Sequence, residues 1–184
     1  MRINELAIKG VYEITLSSFE DERGAFIRIF DQINFKEFGL PFNWVQENIS
    51  INRKKGVLRG LHFILPPYTD GKLIRCSKGK IWDVVVDLRK DVETQGRHIA
   101  FELRDDMFKW IYIPKGFAHG FCTLTEYSEV IYKHDTFYKK NSDSGILWSD
   151  PELNIDWPVR NPTLSEKDKR LMTYSEFINK YGGL

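Results

Sequence analysis

A histidine and a lysine close together in one short stretch could carry acid–base chemistry. The stretch GVLRGLHFILPPYTDGK, residues 56–72, places His62 in an apolar run and Lys72 at its end. Imidazole titrates near neutral pH, so His62 is the candidate general base. A carboxylate on its far ring nitrogen would orient it, but spacing alone does not name that carboxylate. Taken alone, a histidine in an apolar strand is more often a structural residue with satisfied hydrogen bonds.

Basic residues around this histidine could bind an anion. Arg23 lies in a turn, Arg59 stands just before His62, and Lys72 opens the segment KLIRC. The planar guanidinium of arginine matches the oxygens of a phosphate group. Because such residues usually form a solvated basic face, phosphate binding and plain solvent exposure both stay open.

A metal site is not predicted. The segment PKGFAHG has the pattern P-x-G-x-x-H, which occurs in the second motif of metal-binding cupins. The chain has four histidines and no H-x-H pair, so the stretch GLHF offers one ring nitrogen where a metal cupin uses two. A tight transition-metal site needs three or four converging ligands. We therefore expect neither a metal nor another cofactor.

Composition predicts one globular domain spanning residues 1–184. The net charge of +1 gives no broad electrostatic reason to expect nucleic acid or a membrane as the partner. Cys76 and Cys122 lie in apolar runs, and two cysteines do not make a disulfide framework. The first residues lack the apolar core of a signal peptide, and no run has the length of a membrane span. A cytoplasmic protein is the expectation.

Short apolar runs separated by turn residues predict an all-β fold. Runs such as AFIRIF, KIWDVVVDLR and GFCTLT recur at the spacing typical of a sandwich or barrel. DQINFKEF indicates a short helix, and residues 164–184 a helical appendage, in which Ser165 with Asp168 and Thr173 with Glu176 form capping patterns. We expect an antiparallel double-sheet jelly roll with short C-terminal helices.

Arg59 and His62 can face one site together only if their strand is irregular. A regular strand directs the side chains of residues 59 and 62 to opposite faces. Gly60, between them, is the residue at which a bend or bulge could bring both side chains to the same face.

The motifs taken together resemble one enzyme family. The chain carries VQEN, GVLRGLHF followed by PP and GK, KIWDVVVDLR, IPKGFAHGF, IYK followed by FY, GILWSDPELNIDWP and LSEKD. In this order and spacing they are similar to the dTDP-4-dehydrorhamnose 3,5-epimerases, from about Arg23 to Asp168. The resemblance implies a cupin-type jelly roll that works as a metal-free homodimer on a nucleotide-diphosphate sugar.

The resemblance also implies catalytic roles. His62 removes a proton next to the C4 ketone of the sugar, Asp168 is its dyad partner, Tyr132 delivers a proton from the opposite face, and Lys72 stabilises the enolate oxygen. Epimerisation beside a ketone needs these parts: a base, an acid on the other face, and positive charge at the developing oxyanion. As an alternative, Asp168 could serve only as a helix cap with Ser165.

A second set of residues is expected to bind the substrate: Arg23, Phe26, Arg28, Gln46, Asn48, Arg59, His119 and Tyr138. By the same resemblance, Arg23, Arg59 and His119 hold the diphosphate and the sugar, and Tyr138 stacks near the nucleotide. Arg23 and Phe26, from the N-terminal strand, are expected to reach into the neighbouring subunit's site.

Some positions depart from the family pattern near the expected pocket. The family reads R-G-x-F-x-E after the first turn, and this chain has Arg28 in place of the glutamate, on the same predicted strand face as Phe26. Ile64 and Asp70 stand where the family commonly has glutamines. Because arginine suits the O6 and N7 acceptors of guanine, the hypothesis is that the chemistry is kept and the substrate is altered. The alternative is a solvent-facing Arg28 and a thymine base.

The candidate functions differ in substrate and in class. The favoured one is 3,5-epimerisation of a GDP-linked 4-keto-6-deoxy-heptose or of dTDP-4-keto-6-deoxyglucose. The alternatives are a nucleotide-sugar 3,4-ketoisomerase on the same scaffold and a carbohydrate-binding jelly roll without turnover. The residues do not decide whether C3, C5 or both centres are inverted.

Overall fold

The computed structural model describes residues 1–184 and contains two antiparallel β-sheets and a separate hairpin. The first sheet has six strands, in spatial order β1 (Arg2–Glu5), β2 (Tyr12–Thr15), β10 (Lys109–Ile113), β7 (Lys72–Lys78), β12 (Ser128–His134) and β5 (Gln46–Asn52). The second has five, in the order β13 (Asp143–Gly145), β6 (Leu58–Ile64), β11 (Phe117–Thr123), β8 (Lys80–Asp87) and β9 (His98–Arg104). The hairpin pairs β3 (Ser18–Asp21) with β4 (Gly24–Ile27). The predicted all-β, double-sheet jelly roll is confirmed.

Strand β8 is buried on both faces, which explains the continuous apolar run in the segment KIWDVVVDLR. Val85 packs into the cluster between the two sheets, whereas Val84 and Val86 pack into a second cluster on the outer face. The C-terminal segment covers that outer face with Trp157 and Phe177. A strand buried on both faces needs apolar residues at successive positions, not alternation. The C-terminal segment is therefore part of the core.

The outer face of the first sheet is covered by the short helix α1 (Gln32–Glu37) and the chain around it. Phe35 of α1 is fully buried beside Leu73 and Trp110 of the sheet. The helix begins where the Asp31 carboxylate accepts hydrogen bonds from the first free backbone N–H groups. The helix predicted from DQINFKEF is thus confirmed.

The C-terminal appendage contains two short helices, as predicted, and the first of them is a 3₁₀ helix. Helix α2 (Tyr174–Tyr181) begins at a capping box of Thr173 with Glu176 and ends at Gly182, which has a φ of 72°. The preceding segment SEKDKRL does not form an α-helix. It makes a single 3₁₀ turn at Asp168–Arg170, with the Ser165 hydroxyl accepting from the Asp168 amide at 3.0 Å. The cap is present, but the chain leaves the helical path at Leu171, which has an extended backbone.

The strand predicted from AFIRIF is too long, and this moves Arg28. Strand β4 ends at Ile27, so Arg28 does not share a strand face with Phe26. Beyond this point the Trp110 indole donates to the Ile29 carbonyl at 2.6 Å, and the chain turns towards the Asp31 cap of α1. The Arg28 guanidinium pairs with that Asp31 at 2.9 Å.

The hairpin of β3 and β4 exposes aromatic surface. Phe19 and Phe26 are 69% and 70% exposed, although both are large apolar side chains. An exposed apolar patch of this kind is typical of a protein–protein contact. Neither α-helix of the protein has the length and apolarity that crossing a membrane requires.

Candidate active site

A cavity of about 730 Å³ opens between the two sheets. Its walls come from β5, β7 and β12 of the first sheet, from β6 and β11 of the second, and from the segment that follows Thr163. Polar side chains from both sheets converge there, in contrast to the apolar cluster that fills the rest of the space between the sheets. This combination is characteristic of a small-molecule site.

An irregularity at Gly60 lets Arg59 and His62 line the same cavity. Strand β6 pairs His62 with His119 and Arg59 with Phe121, so its register shifts between these two pairs. Gly60 has a φ of 121°, and a Cβ there would lie 2.6 Å from the Gly120 Cα. Only glycine fits this conformation and this close approach. The predicted bend at Gly60 is confirmed.

His62 forms a dyad with Asp168. The imidazole Nε2 lies 2.7 Å from the Asp168 Oδ1, and the carboxylate is 4% exposed against 35% for the imidazole. Burial alone would raise the pKa of Asp168, but the hydrogen bond and charge of His62 hold that pKa below its ordinary value. The 3₁₀ turn after Ser165 aims the carboxylate, so Asp168 is both capped and paired. The Nδ1 atom of His62 has no hydrogen-bond partner in the protein.

Tyr132 and Lys72 belong to the sheet opposite His62. Tyr132 lies on β12 and packs edge-on against His119, with ring centroids 6.1 Å apart. Burial raises the pKa of Tyr132 above its ordinary value, so the phenol stays protonated at neutral pH. The ammonium of Lys72, on β7, reaches across to the backbone carbonyl of His62 at 3.4 Å. The imidazole of His62 and the protonated phenol of Tyr132 thus belong to opposite sheets, and the Lys72 ammonium reaches from the sheet of Tyr132 to the strand of His62.

The structure brings most of the predicted substrate-binding residues to this cavity. Its lining includes Gln46, Asn48, Arg59, His119 and Tyr138.

Arg23, Phe26 and Arg28 do not line the cavity of their own chain. Arg23 lies on the exposed hairpin and pairs with Asp21, and the Phe26 ring faces solvent. Arg28 is occupied by Asp31 and its side chain is 67% exposed.

Sequence reasoning missed several polar residues of the lining, namely Ser50, Asn52, His134, Asp143 and Lys167, and named Asp70 only as a departure from the family pattern near the pocket. Asn52 holds Arg59, whose Nε donates to the amide oxygen at 2.9 Å. The Asp143 carboxylate accepts two hydrogen bonds, one from the Lys167 ammonium at 2.6 Å and one from the Tyr138 hydroxyl at 2.9 Å. The alternation of β5 carried a signal for Ser50 and Asn52, because they share a face with the predicted Gln46 and Asn48.

Each histidine of the cavity is paired with a buried carboxylate. Besides the His62 dyad, His119 Nε2 lies 2.9 Å from Asp83. His134 Nδ1 lies 2.8 Å from Asp70. No group of three or more His, Cys, Asp or Glu side chains is arranged to hold a metal ion.

Comparison with known proteins agrees with this geometry. The family model described as dTDP-4-dehydrorhamnose 3,5-epimerase matches residues 5–176. A dTDP-4-dehydrorhamnose 3,5-epimerase of Shigella flexneri is 49% identical over 151 residues, which is 82% of this chain and 83% of that protein. A dTDP-4-dehydrorhamnose 3-epimerase of Streptomyces niveus is 36% identical, over 96% of this chain and 85% of that protein.

A solved structure extends the likeness to the fold. The dTDP-4-dehydrorhamnose 3,5-epimerase of Bacillus anthracis, with TDP and PPi bound, superposes with a TM-score of 0.91 at 40% identity, covering 94% of this chain and 98% of that one. The chain is thus an isomerase that belongs to the dTDP-4-dehydrorhamnose 3,5-epimerase family.

Proposed function

We propose that this protein epimerises a nucleotide-diphosphate-linked 4-keto-6-deoxy sugar at the carbons beside its ketone. The observation that carries the proposal is the His62–Asp168 dyad at 2.7 Å, which faces the buried phenol of Tyr132 across the cavity. Inverting a carbon requires a proton to leave one face of the ring and another to arrive at the opposite face. A base and an acid on opposing sheets suit that requirement.

In the proposed mechanism His62 Nδ1 takes the proton from the carbon next to C4. The electron pair of the broken C–H bond forms a C=C bond, and the carbonyl π electrons move to the oxygen as an enolate. The Lys72 ammonium stabilises this oxyanion. Tyr132 protonates the carbon from the other face, and Asp168 stabilises the imidazolium. Exchange of His62 and Tyr132 with water restores both groups.

We propose a thymidine diphosphate substrate as the first candidate, dTDP-4-keto-6-deoxyglucose. The named relatives act on dTDP sugars, and the Bacillus anthracis enzyme binds TDP. Arg28 lies outside the cavity of its own chain and pairs with Asp31 there, so the guanidinium that the guanine hypothesis needs is absent from that cavity's lining. The GDP-linked 4-keto-6-deoxy-heptose remains the second candidate, since Arg28 replaces the acidic residue of the family pattern.

We propose that two subunits complete each site. Phe26 and Arg23 lie on the exposed hairpin and outside the cavity of their own chain, which leaves them free to enter a neighbour's. At the cavity edge, β5 also exposes Ile49 and Ile51, 52% and 41%. A homodimer that buries these apolar side chains would place the hairpin of one subunit against the nucleotide side of the other.

The test is incubation of the dTDP-linked 4-keto sugar in D₂O. An epimerase gives solvent deuterium at C3, C5 or both, with the ketone still at C4. A ketoisomerase relocates the ketone, and a carbohydrate-binding protein gives no exchange. The Streptomyces niveus relative, named a 3-epimerase, makes the positions of the deuterium informative.

His62→Ala should lower the rate of exchange by about 100-fold or more, the scale of general-base catalysis. Its dissociation constant for dTDP should stay within about twofold, because the nucleotide binds away from the base. His98→Ala is the matched control, since His98 lies on β9 and outside the cavity lining. Exchange by His62→Ala near the wild-type rate would contradict the assignment of the base. Calorimetry with GDP and dTDP on the same variant decides the nucleotide.

A further inference from the structure

The mechanism proposed above uses neither of the other two histidine–carboxylate pairs of the cavity, and the pair of His134 with Asp70 is the one that also has no expected part in substrate binding. His134 Nδ1 lies 2.8 Å from the Asp70 Oδ2, and the two side chains are 15% and 6% exposed. Both line the cavity. Asp70 is also one of the positions at which the chain departs from the family pattern, which has glutamine there.

The same carboxylate contacts Lys72. Its Oδ1 lies 3.5 Å from the Lys72 ammonium, and that side chain is only 8% exposed. The pairing of β7 with β12 sets Lys72 directly opposite His134. Burial alone would raise the pKa of Asp70, but the charge of Lys72 and the hydrogen bond of His134 hold that pKa below its ordinary value. Asp70 is therefore an ionised carboxylate between two nitrogen groups at neutral pH.

The charge of this cluster changes with one proton. With a neutral His134, the Asp70 carboxylate cancels the Lys72 ammonium, and the cluster is neutral. With a protonated His134, the cluster carries one positive charge. An oxyanion that develops beside Lys72 is stabilised by a net positive charge and gains little from a neutral pair.

Apart from Lys72, no other group near His134 supplies a positive charge to offset the Asp70 carboxylate. On its own strand, the Tyr132 ring stacks on it with centroids 6.2 Å apart. From β5 its partner in the register is the uncharged Gln46. The neighbouring Asp135 accepts from the Gly71 amide at 2.7 Å and faces Lys115 at 3.7 Å.

We propose that Asp70 and His134 are a matched pair of positioning residues, in which protonated His134 offsets the Asp70 carboxylate so that Lys72 keeps its effect on the enolate. The inference rests on the proposed function. It implies that neither residue works without the other.

A double-mutant cycle tests the pair through kcat for deuterium incorporation into the dTDP-linked 4-keto sugar. His134→Asn keeps a donor near the Nδ1 position but cannot carry a positive charge. It should lower kcat by about tenfold or more, because an uncompensated carboxylate then faces Lys72, while the dissociation constant for dTDP changes by less than about twofold. Adding Asp70→Gln should restore kcat to within about threefold of the wild type, because the opposing charge is then gone.

The pH profile adds a readout that a purely structural role would not move. The pH profile of kcat should differ between the wild type and the double variant, because only the wild type carries an imidazole and a carboxylate beside Lys72. Any loss in the wild-type profile that comes from this pair should level off at about the tenfold expected of His134→Asn. Asp135→Asn is the matched control for disturbance of the loop, because its carboxylate faces Gly71 and Lys115.

Two results would overturn the pair. One is a His134→Asn variant with wild-type kcat, and the other is a double variant no faster than that single one. If the wild type itself incorporates no deuterium, the proposed function fails together with the inference. Exchange by the wild type without any effect of His134→Asn overturns the inference alone.

Discussion

Three buried carboxylates give the histidines of the cavity different surroundings. Asp168 and Asp83 hold His62 and His119 through Nε2, whereas Asp70 holds His134 through Nδ1. A carboxylate on one ring nitrogen fixes the tautomer and leaves the other nitrogen for the substrate. The His62 side chain is more exposed than that of Asp168, so His62 is the member of this pair that a bound molecule can reach.

Asp168→Asn should lower kcat for deuterium exchange by about 100-fold or more, since an amide cannot stabilise the imidazolium of His62. The variant should also respond differently to acid. Because the pKa of Asp168 is lowered in the folded protein, its ionised form stabilises the fold above the ordinary carboxyl range, and that contribution is lost as the pH falls through the folded-state value.

The free energy of unfolding by urea, measured at pH 7 and near pH 3 for both proteins, checks this second expectation. The difference between wild type and Asp168→Asn should be largest at pH 7 and should shrink in acid. Retention of wild-type exchange by Asp168→Asn would mean that this carboxylate serves only as the cap of its 3₁₀ turn.

Residue types and motifs predicted which side chains could do chemistry, but they did not predict all of the pairs that these side chains form. His62 could be chosen because imidazole suits a base, but its carboxylate lies 106 positions away, and spacing did not name it. The family resemblance supplied Asp168. The pairing of Asp70 with His134 was not predicted, because it spans 64 positions and depends on which strands become neighbours.

At the scale of elements, the site depends on one irregular strand. Strand β6 changes register at Gly60, and this change turns Arg59 towards the same cavity as His62. The alternation of side chains along a regular strand predicted that Arg59 and His62 need such a bend, and Gly60 indicated where it occurs. The end of β4 was predicted less well. Alternation in AFIRIF continues past Ile27, but the Trp110 hydrogen bond to Ile29 and the cap of α1 end the strand there.

Gly60→Ala should destabilise the protein by about 3 kcal/mol or more, because the new Cβ would combine backbone strain with overpacking. The new atom would lie 2.6 Å from the Gly120 Cα and 2.8 Å from the His119 carbonyl. Urea unfolding measures the loss, and deuterium exchange should fall as His62 is displaced.

Gly24→Ala separates the two causes. Gly24 has nearly the same φ, 120°, but a Cβ there meets nothing within 4 Å. It should cost about 1–2 kcal/mol, the strain of the backbone alone. Equal losses in the two variants would mean that the contact with β11 does not matter.

At the scale of the whole molecule, a single chain carries a cavity and, away from it, the exposed hairpin. Phe26→Asp should convert the proposed dimer to a monomer in light scattering, because it places a charge on apolar interface surface. Phe26→Asp should also lower the rate of deuterium exchange, because loss of the dimer leaves each site incomplete. Val92→Asp is the matched control, since Val92 is an exposed apolar residue of the loop between β8 and β9.

Subunit complementation tests whether the hairpin enters the neighbour's site. Arg23→Ala and His62→Ala homodimers should both be slow, but a mixed dimer contains one site with both residues intact. Mixing after partial denaturation should therefore raise the exchange rate above the mean of the two proteins. No rise, with mixed dimers present, would place the hairpin outside the active site.

The proposed base and acid belong to different sheets, and this gives the packing of the sandwich a stereochemical consequence. His62 lies on β6 and Tyr132 on β12, and the apolar cluster between the sheets, which includes Cys76 and Val130, helps to set the gap between them. A small slip of one sheet on the other changes how far each ring carbon stands from the two groups. Under the proposed mechanism, core substitutions that never touch the sugar would therefore alter the ratio of singly to doubly inverted product, and selection for one sugar isomer would act on the hydrophobic core as well as on the pocket.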